Sequence, residues 1–267
     1  MSATGEGGER ARRFARRQRI ESGLLQVNLL VEVADARAPL ATRSPVLSSG
    51  RFAQKARVVA LLKADLAEVS ATRLWLASLT GAVAVDARAG GGVEALVRAV
   101  RRARPEGEVR AMVVGLPNLG KSSLVNRLAG RARAATGNRP GVTVGEQWVR
   151  ARPWLRLMDE PGVLPGGANP LLAALGCVAD GEYDAIEAFA AVWAVAAFRR
   201  ALASRFGTVP EADGAEATLV NVGRQLGAIA AGGRVDTRRS AAQLLALLRD
   251  GRLGRLTLEQ PSGGGTG

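Results

Sequence analysis

Between residues 29 and 114 the chain alternates short, unbroken apolar runs with longer stretches in which apolar residues recur every three or four positions. The runs LLVEVAD, RVVALL, AVAV and VRAMVV have the length and β-branched content of strands buried on both faces. SATRLWLASLT and VEALVRAVRRA, lying between them, have the spacing of amphipathic helices. Strand and helix in alternation predict an α/β fold, a doubly wound and mostly parallel sheet. Beyond about Pro165 the spacing is helical throughout. NPLLAALGCV, DAIEAFAAVWAVAAFRRALASRF, EATLVNVGRQLGAIAA and SAAQLLALLRD are rich in Ala and Leu and separated by Gly and Pro. The pattern divides the chain into a basic arm (1–23), an α/β domain (24–165), an all-helical domain (166–260) and a Gly-rich tail (261–267) expected to be disordered. The longest apolar run, Ala188 to Phe198, falls well short of the ~20 residues that cross a bilayer, so it is expected to be a buried helix and no membrane partner is expected.

Charge adds a partner to this outline. The 267 residues carry a net charge of +13, which implies a polyanion, either nucleic acid or an acidic membrane surface, with ribosomal or messenger RNA the leading class. ERARRFARRQR alone holds six arginines against one acid and reads as a solvated basic arm. Glu6, Glu9 and the lack of a serine-rich stretch count against a transit peptide there. A coding bias toward Arg explains why only three of the 37 basic residues are lysine, but not the excess of bases over acids. One cysteine, Cys177, and no histidine exclude intramolecular disulfides and the usual His/Cys metal sites, and a cytoplasmic, reducing setting fits.

In a chain that avoids lysine, the surviving lysines mark chemistry. Lys63 and Lys121 each stand in a motif where a compact ammonium is hard to replace with a guanidinium fork. GLPNLGKS, Gly115 to Ser122, has the spacing G-x-x-x-x-G-K-[ST] between the strand AMVVG and the helix SSLVNRLA. Such a loop folds backbone N–H groups around phosphate oxygens, here those of Asn118, Leu119, Gly120, Lys121, Ser122 and Ser123. Lys121 would reach the β- and γ-phosphates, and the Ser122 hydroxyl would reach Mg2+. DEPG follows the strand WLRLM, so Asp159 would face the metal through water while the Gly162 N–H senses the γ-phosphate. Taken alone, that tetrapeptide also makes an ordinary turn. Between the two motifs, TGNRPGVT offers Thr143 to close the metal shell when the γ-phosphate is present.

KAD, at the end of RVVALL, is a candidate base reader. The Asp65 carboxylate would accept from the ring N–H and the exocyclic amine of guanine, a donor pair that adenine lacks, and the stem of Lys63 would lie along the base plane. Three letters equally suit a strand-end turn with a solvated ion pair, so the order of motifs has to decide. In ordinary GTPases the phosphate loop comes first and the base reader last. Here the base reader precedes the loop DARAGGG, the phosphate loop, Thr143 and DEPG, which is the order of a circularly permuted P-loop GTPase domain. A parallel sheet tolerates this because ligands bind at the carboxyl ends of its strands, whatever their order along the chain.

That order, with GLPNLGKSSLVNRL, TGNRPGVT, EQWV, DEPGVLPG and the terminal GRLTLEQP, resembles the circularly permuted GTPases of the ribosome biogenesis GTPase A family, from about Leu24 onward. The resemblance implies GTP hydrolysis to GDP and phosphate, stimulated by the ribosome, and a role in late maturation of the bacterial large ribosomal subunit or its mitochondrial counterpart. It also implies a helical domain that grips ribosomal RNA, in a protein monomeric off the ribosome. By similarity to potassium-activated GTPases with the same loop residue, Asn118 would help hold K+ in place of an arginine finger. Lys121, Asn118 and Gly162 form the expected catalytic set. The chain departs from the family pattern in having Leu62 where the base reader has asparagine and no histidine in its N-terminal segment; Val163, in place of a water-orienting glutamine, fits the family but leaves no obvious catalytic base. Two other readings remain: an RNA-binding module with a decayed nucleotide pocket, and a permuted GTPase that serves another RNA or uses ATP.

Overall fold

The computed structural model describes residues 22–130, 148–159, 169–178, 183–207 and 210–261. The basic arm, Thr143, Gly162 and the Gly-rich tail lie outside them. The strands are β1 (Leu29–Asp35), β2 (Ala56–Leu62), β3 (Ala82–Val85), β4 (Val109–Val114), β5 (Trp148–Arg152) and β6 (Leu155–Asp159). The longer helices are α1 (Val69–Ser78), α2 (Val93–Ala103), α3 (Lys121–Ala129), α4 (Pro170–Ala174), α5 (Ala185–Trp193), α6 (Ala196–Phe206), α7 (Pro210–Gln225) and α8 (Thr237–Arg249). The described residues form two compact units, one holding those within 22–35, 43–63 and 79–159, the other those within 36–42, 64–78 and 169–261.

The first unit is the sheet, in the order β3-β2-β1-β4-β6-β5, parallel throughout except for β5, which runs antiparallel to β6. Every residue of β1 is buried, which accounts for its apolar run: a central parallel strand meets packed layers on both faces. On one face Leu30, Met112, Val114 and Met158 join Leu24, Val27, Leu47 and Phe52 in a single core cluster. α2 packs on β2 and β3, and α3 on β5 and β6. α2 presents Val93, Leu96, Val97 and Val100 inward at the predicted helical spacing. β5 was not apparent in the sequence. Its residues WVRAR pair with β6 across the turn at Pro153 and Trp154, and the Arg101 guanidinium lies 3.8 Å from the Trp154 ring centre.

A buried charge cluster sits beside β1. Glu32 is 1% exposed and takes a two-pronged contact from Arg43, at 2.9 Å on each oxygen, and a third from Arg57 at 3.2 Å. The hydrogen bond to Glu32 is the main reason the Arg43 pKa rises, against the opposing effect of burial. Arg57 also donates to the Leu47 carbonyl, tying the 45–53 segment to the strand.

The second unit is helical but differs from the expected pattern at two points. The apolar run from Ala188 to Phe198 is not one helix. α5 ends at Trp193 and α6 begins at Ala196, with Val195 extended between them at φ −88° and ψ 117°. Across the break Phe198 meets Phe189 edge on, at 5.9 Å between ring centres, while Phe189 and Trp193, one turn apart within α5, lie 5.8 Å apart. The helix starts are capped as local chemistry dictates: Asn169, Asp184 and Asp236 each accept a backbone N–H from the first turn that follows.

The second point is the company the helices keep. Residues 36–42 and 64–78, which follow β1 and β2 along the chain, belong to the helical unit. Arg37 is 1% exposed and donates to the Leu248 carbonyl at 2.7 Å, while the Leu258 N–H donates to the Arg37 carbonyl at 2.7 Å. The Glu259 carboxylate accepts from the Leu40 and Ala41 N–H groups at 2.8 and 2.9 Å. Burial raises its pKa, and these two hydrogen bonds only partly offset the shift.

Candidate functional site

In the sheet unit the chain steps outward from β1 through β2 to β3, then returns to the other side of β1 as β4 and continues to β6. The switch point of a doubly wound sheet, where ligands settle, therefore lies at the carboxyl ends of β1 and β4. The predicted phosphate loop leaves β4 at this point, since β4 ends at Val114 and α3 begins at Lys121.

The loop has the geometry of a phosphate cradle. A Cβ on Gly115 would lie 2.6 Å from the Val33 carbonyl oxygen, so only glycine lets the chain pass so close to β1. Asn118 adopts φ +57° and Gly120 φ +99°, positive-φ conformations of the kind that anion-binding loops use. Leu119 is buried beneath them, and Asn118, Ser122 and Ser123 are exposed. Lys121 is 8% exposed, with its ammonium donating to the Leu116 carbonyl at 2.9 Å, so the charge is held within the loop. Together with the N-terminus of α3, these groups fit a polyphosphate. Asp159 ends β6 and pairs in register with Val113 of β4, one residue before the end of that strand.

Lys63 ends the sheet portion of KAD. It adopts φ +58°, unusual for a lysine, and its ammonium meets Asp35 at 3.1 Å. Asp35 is fully buried at the end of β1, one strand over. Asp35 is not among the residues that the sequence motifs single out. The available signal was that VEVAD, like WLRLMD, ends a buried strand in a carboxylate at the ligand-binding edge. Leu62, at the position of the family's asparagine, is buried, and its Cδ1 lies 3.5 Å from where a Gly120 Cβ would be, so an apolar side chain stands against the phosphate loop. Asp86, the residue after β3, accepts the N–H groups of Arg88 and Ala89 at 2.8 and 2.9 Å and so shapes the DARAGGG loop. Asp65 lies two residues beyond Lys63, partly exposed, in the segment that belongs to the helical unit.

A phosphate loop leaving a central parallel strand, with its lysine buried and the motif order permuted, defines a P-loop GTPase. Residues 110–198 match the family model described as 50S ribosome-binding GTPase. The chain is 31% identical over 271 residues to the Ribosome biogenesis GTPase A of Bacillus cereus, covering 92% of this chain and 90% of that protein. It is 29% identical over 254 residues to the protein of the same name from Thermotoga maritima, covering 92% and 91%. In fold it is similar to the crystal structure of GNP-bound YlqF from T. maritima, with a TM-score of 0.70 over 92% of this chain and 98% of that one at 23% identity. The chain belongs to the ribosome biogenesis GTPase A family. It binds guanine nucleotide and hydrolyses GTP.

Proposed function

We propose that this chain is an assembly factor of the large ribosomal subunit, binding ribosomal RNA in its GTP state and leaving after a hydrolysis step that the ribosome stimulates. The observation that carries the reading is the phosphate cradle at the switch point of a permuted sheet, in a chain 31% identical to a Ribosome biogenesis GTPase A over 92% of its length. The net charge of +13 supports a polyanionic partner. In the helical unit Arg224, Arg234, Arg239, Arg252 and Arg255 are exposed, as an RNA-binding face requires. The protein would act as a monomer in the cytoplasm when off the ribosome. Among the described residues, no helix is long and apolar enough to cross a membrane.

The residues divide the work as follows. The N–H groups from Asn118 to Ser123 hold and orient the phosphates, and Lys121 stabilises charge that develops on the β- and γ-oxygens. Ser122, Thr143 and Asp159 would hold Mg2+, which when bound neutralises phosphate charge. Lys63 and Asp65 would select guanine, with Lys63 fixed by Asp35. Asn118 would help hold K+, and the chain has neither a histidine nor a glutamine after Gly162 to orient water. Hydrolysis by the isolated protein should therefore be slow and rise more with potassium than with sodium. Single-turnover rates in each salt, with and without Asn118→Ala, check this. Rates indifferent to the cation would remove it from the mechanism.

Co-sedimentation with purified subunits at fixed salt tests the whole reading. Affinity for large subunits should be about 1 to 3 kcal/mol better with a non-hydrolysable GTP analogue than with GDP, an ordinary coupling energy, and should weaken steeply as salt rises. Equal affinity in both nucleotide states, or a preference for small subunits, would overturn it.

A further inference from the structure

We propose that the C-terminal segment Leu256–Glu259 is a positioning element for guanine selection, holding Asp65 in place through the residues that follow it. The inference rests on the reading of Asp65 as the base reader. A carboxylate meeting two donors on a base discriminates only if its backbone is fixed, because a loose turn can swing to follow a poorer ligand. Asp65 is partly exposed, so its own burial does not fix it.

Its successors are tied down from far along the chain. The Leu66 carbonyl accepts from the Leu256 N–H at 3.0 Å, and the Glu68 N–H donates to the Thr257 hydroxyl oxygen at 3.3 Å. α1, which starts one residue later, is held at Trp75, whose indole N–H donates to the Glu259 carbonyl at 3.0 Å. Leu256 and Thr257 are 2% and 1% exposed, so they are a fixed part of the core. They are anchored in turn through Leu258, bonded to the Arg37 carbonyl, and through Arg37, bonded to the Leu248 carbonyl near the end of α8. A continuous series of hydrogen bonds thus runs from α8 through the terminal segment to the residue next to Asp65. These ties belong to a different part of the chain from the phosphate loop. Loosening them should impair choice of base and leave phosphate binding alone.

The experiment titrates GDP and ADP against the full chain, Thr257→Val, Thr257→Ser, Trp75→Phe, a chain ending at Gly254, and Asp65→Ala. Thr257→Val and Trp75→Phe should each lower GDP affinity about three- to tenfold, the effect of one lost hydrogen bond, with ADP affinity unchanged. Thr257→Ser should restore it, and the shortened chain should lose most of its selectivity. The inference is overturned if the selectivity ratio stays at the starting value in Thr257→Val, Trp75→Phe and the shortened chain, or if both nucleotides weaken in parallel. If Asp65→Ala collapses the ratio while those three variants keep it, the base-reader reading stands and this inference alone falls. If Asp65→Ala leaves the ratio intact, or the starting protein does not distinguish GDP from ADP, both fall.

Discussion

Gly115→Ala should lose nucleotide binding on the order of 100-fold and lower stability by about 1 to 3 kcal/mol, the range for forcing a methyl group into a packed interior. The new Cβ would come 2.6 Å from the Val33 carbonyl oxygen and 3.2 Å from the Val33 Cβ. Val33 cannot retreat, because β1 is paired on both edges, to β2 and to β4, and is fully buried. The strain must therefore pass into the phosphate loop, which begins at this residue. A displacement of about 1 Å at the root of the cradle is enough to misalign its N–H groups. Gly120→Ala is the informative contrast. A Cβ there would meet only Leu62 Cδ1, at an ordinary 3.5 Å, so its cost is conformational, from φ +99°, and not steric. GDP titration and denaturant melts of the two variants separate these effects. An unchanged melt together with full GDP affinity in Gly115→Ala would show that the cradle does not depend on this close approach.

The sheet was readable because its central strands are buried on both faces, which writes them as unbroken apolar runs. α2 was equally readable, since its inward face repeats every three to four residues and its neighbours Gly92 and Arg104 break the pattern. β5 was hidden by alternating arginines on an edge strand that is mostly only partly buried. The break between α5 and α6 was hidden for the opposite reason. An Ala-rich run gives no Gly or Pro to mark it, and only the edge-on packing of Phe198 against Phe189 shows what the break achieves.

The candidate site divides in the same way. The phosphate loop is contiguous in sequence and its spacing is legible there. The Asp35–Lys63 pair joins two strands whose register sets Asp35 against Leu62, which no local pattern reveals. The ties between residues 64–78 and the terminal segment join positions 189 and 184 residues apart, Glu68 to Thr257 and Trp75 to Glu259, which no local pattern reveals.

Asp65→Asn should turn a guanine binder into a xanthine binder. A carboxylate presents two acceptors, and guanine offers two donors, its ring N–H and its exocyclic amine. Xanthine keeps the ring N–H but carries an oxo group in place of the amine, so a carboxylate faces it with one good contact and one repulsion. The asparagine amide resolves that repulsion: its oxygen still accepts from the ring N–H while its NH2 donates to the oxo group. The same amide presents a donor to guanine's amine, leaving two unpaired donors face to face in a site built to satisfy both, the arrangement in which polar sites discriminate most strongly. GDP affinity should fall on the order of 100-fold and XDP affinity should rise by a comparable factor, since one charge-assisted hydrogen bond contributes roughly 1.5 to 3 kcal/mol. Leu62 sharpens the test. Its apolar side chain adds no donor or acceptor to the base, so base choice should depend on Asp65 more heavily here than in a site that also carries the asparagine. Calorimetric titration of GDP, XDP and ADP against both proteins is the measurement. If Asp65→Asn weakens all three nucleotides alike, or if the unaltered chain binds ADP as well as GDP, Asp65 is a strand-end turn residue and the base is chosen elsewhere.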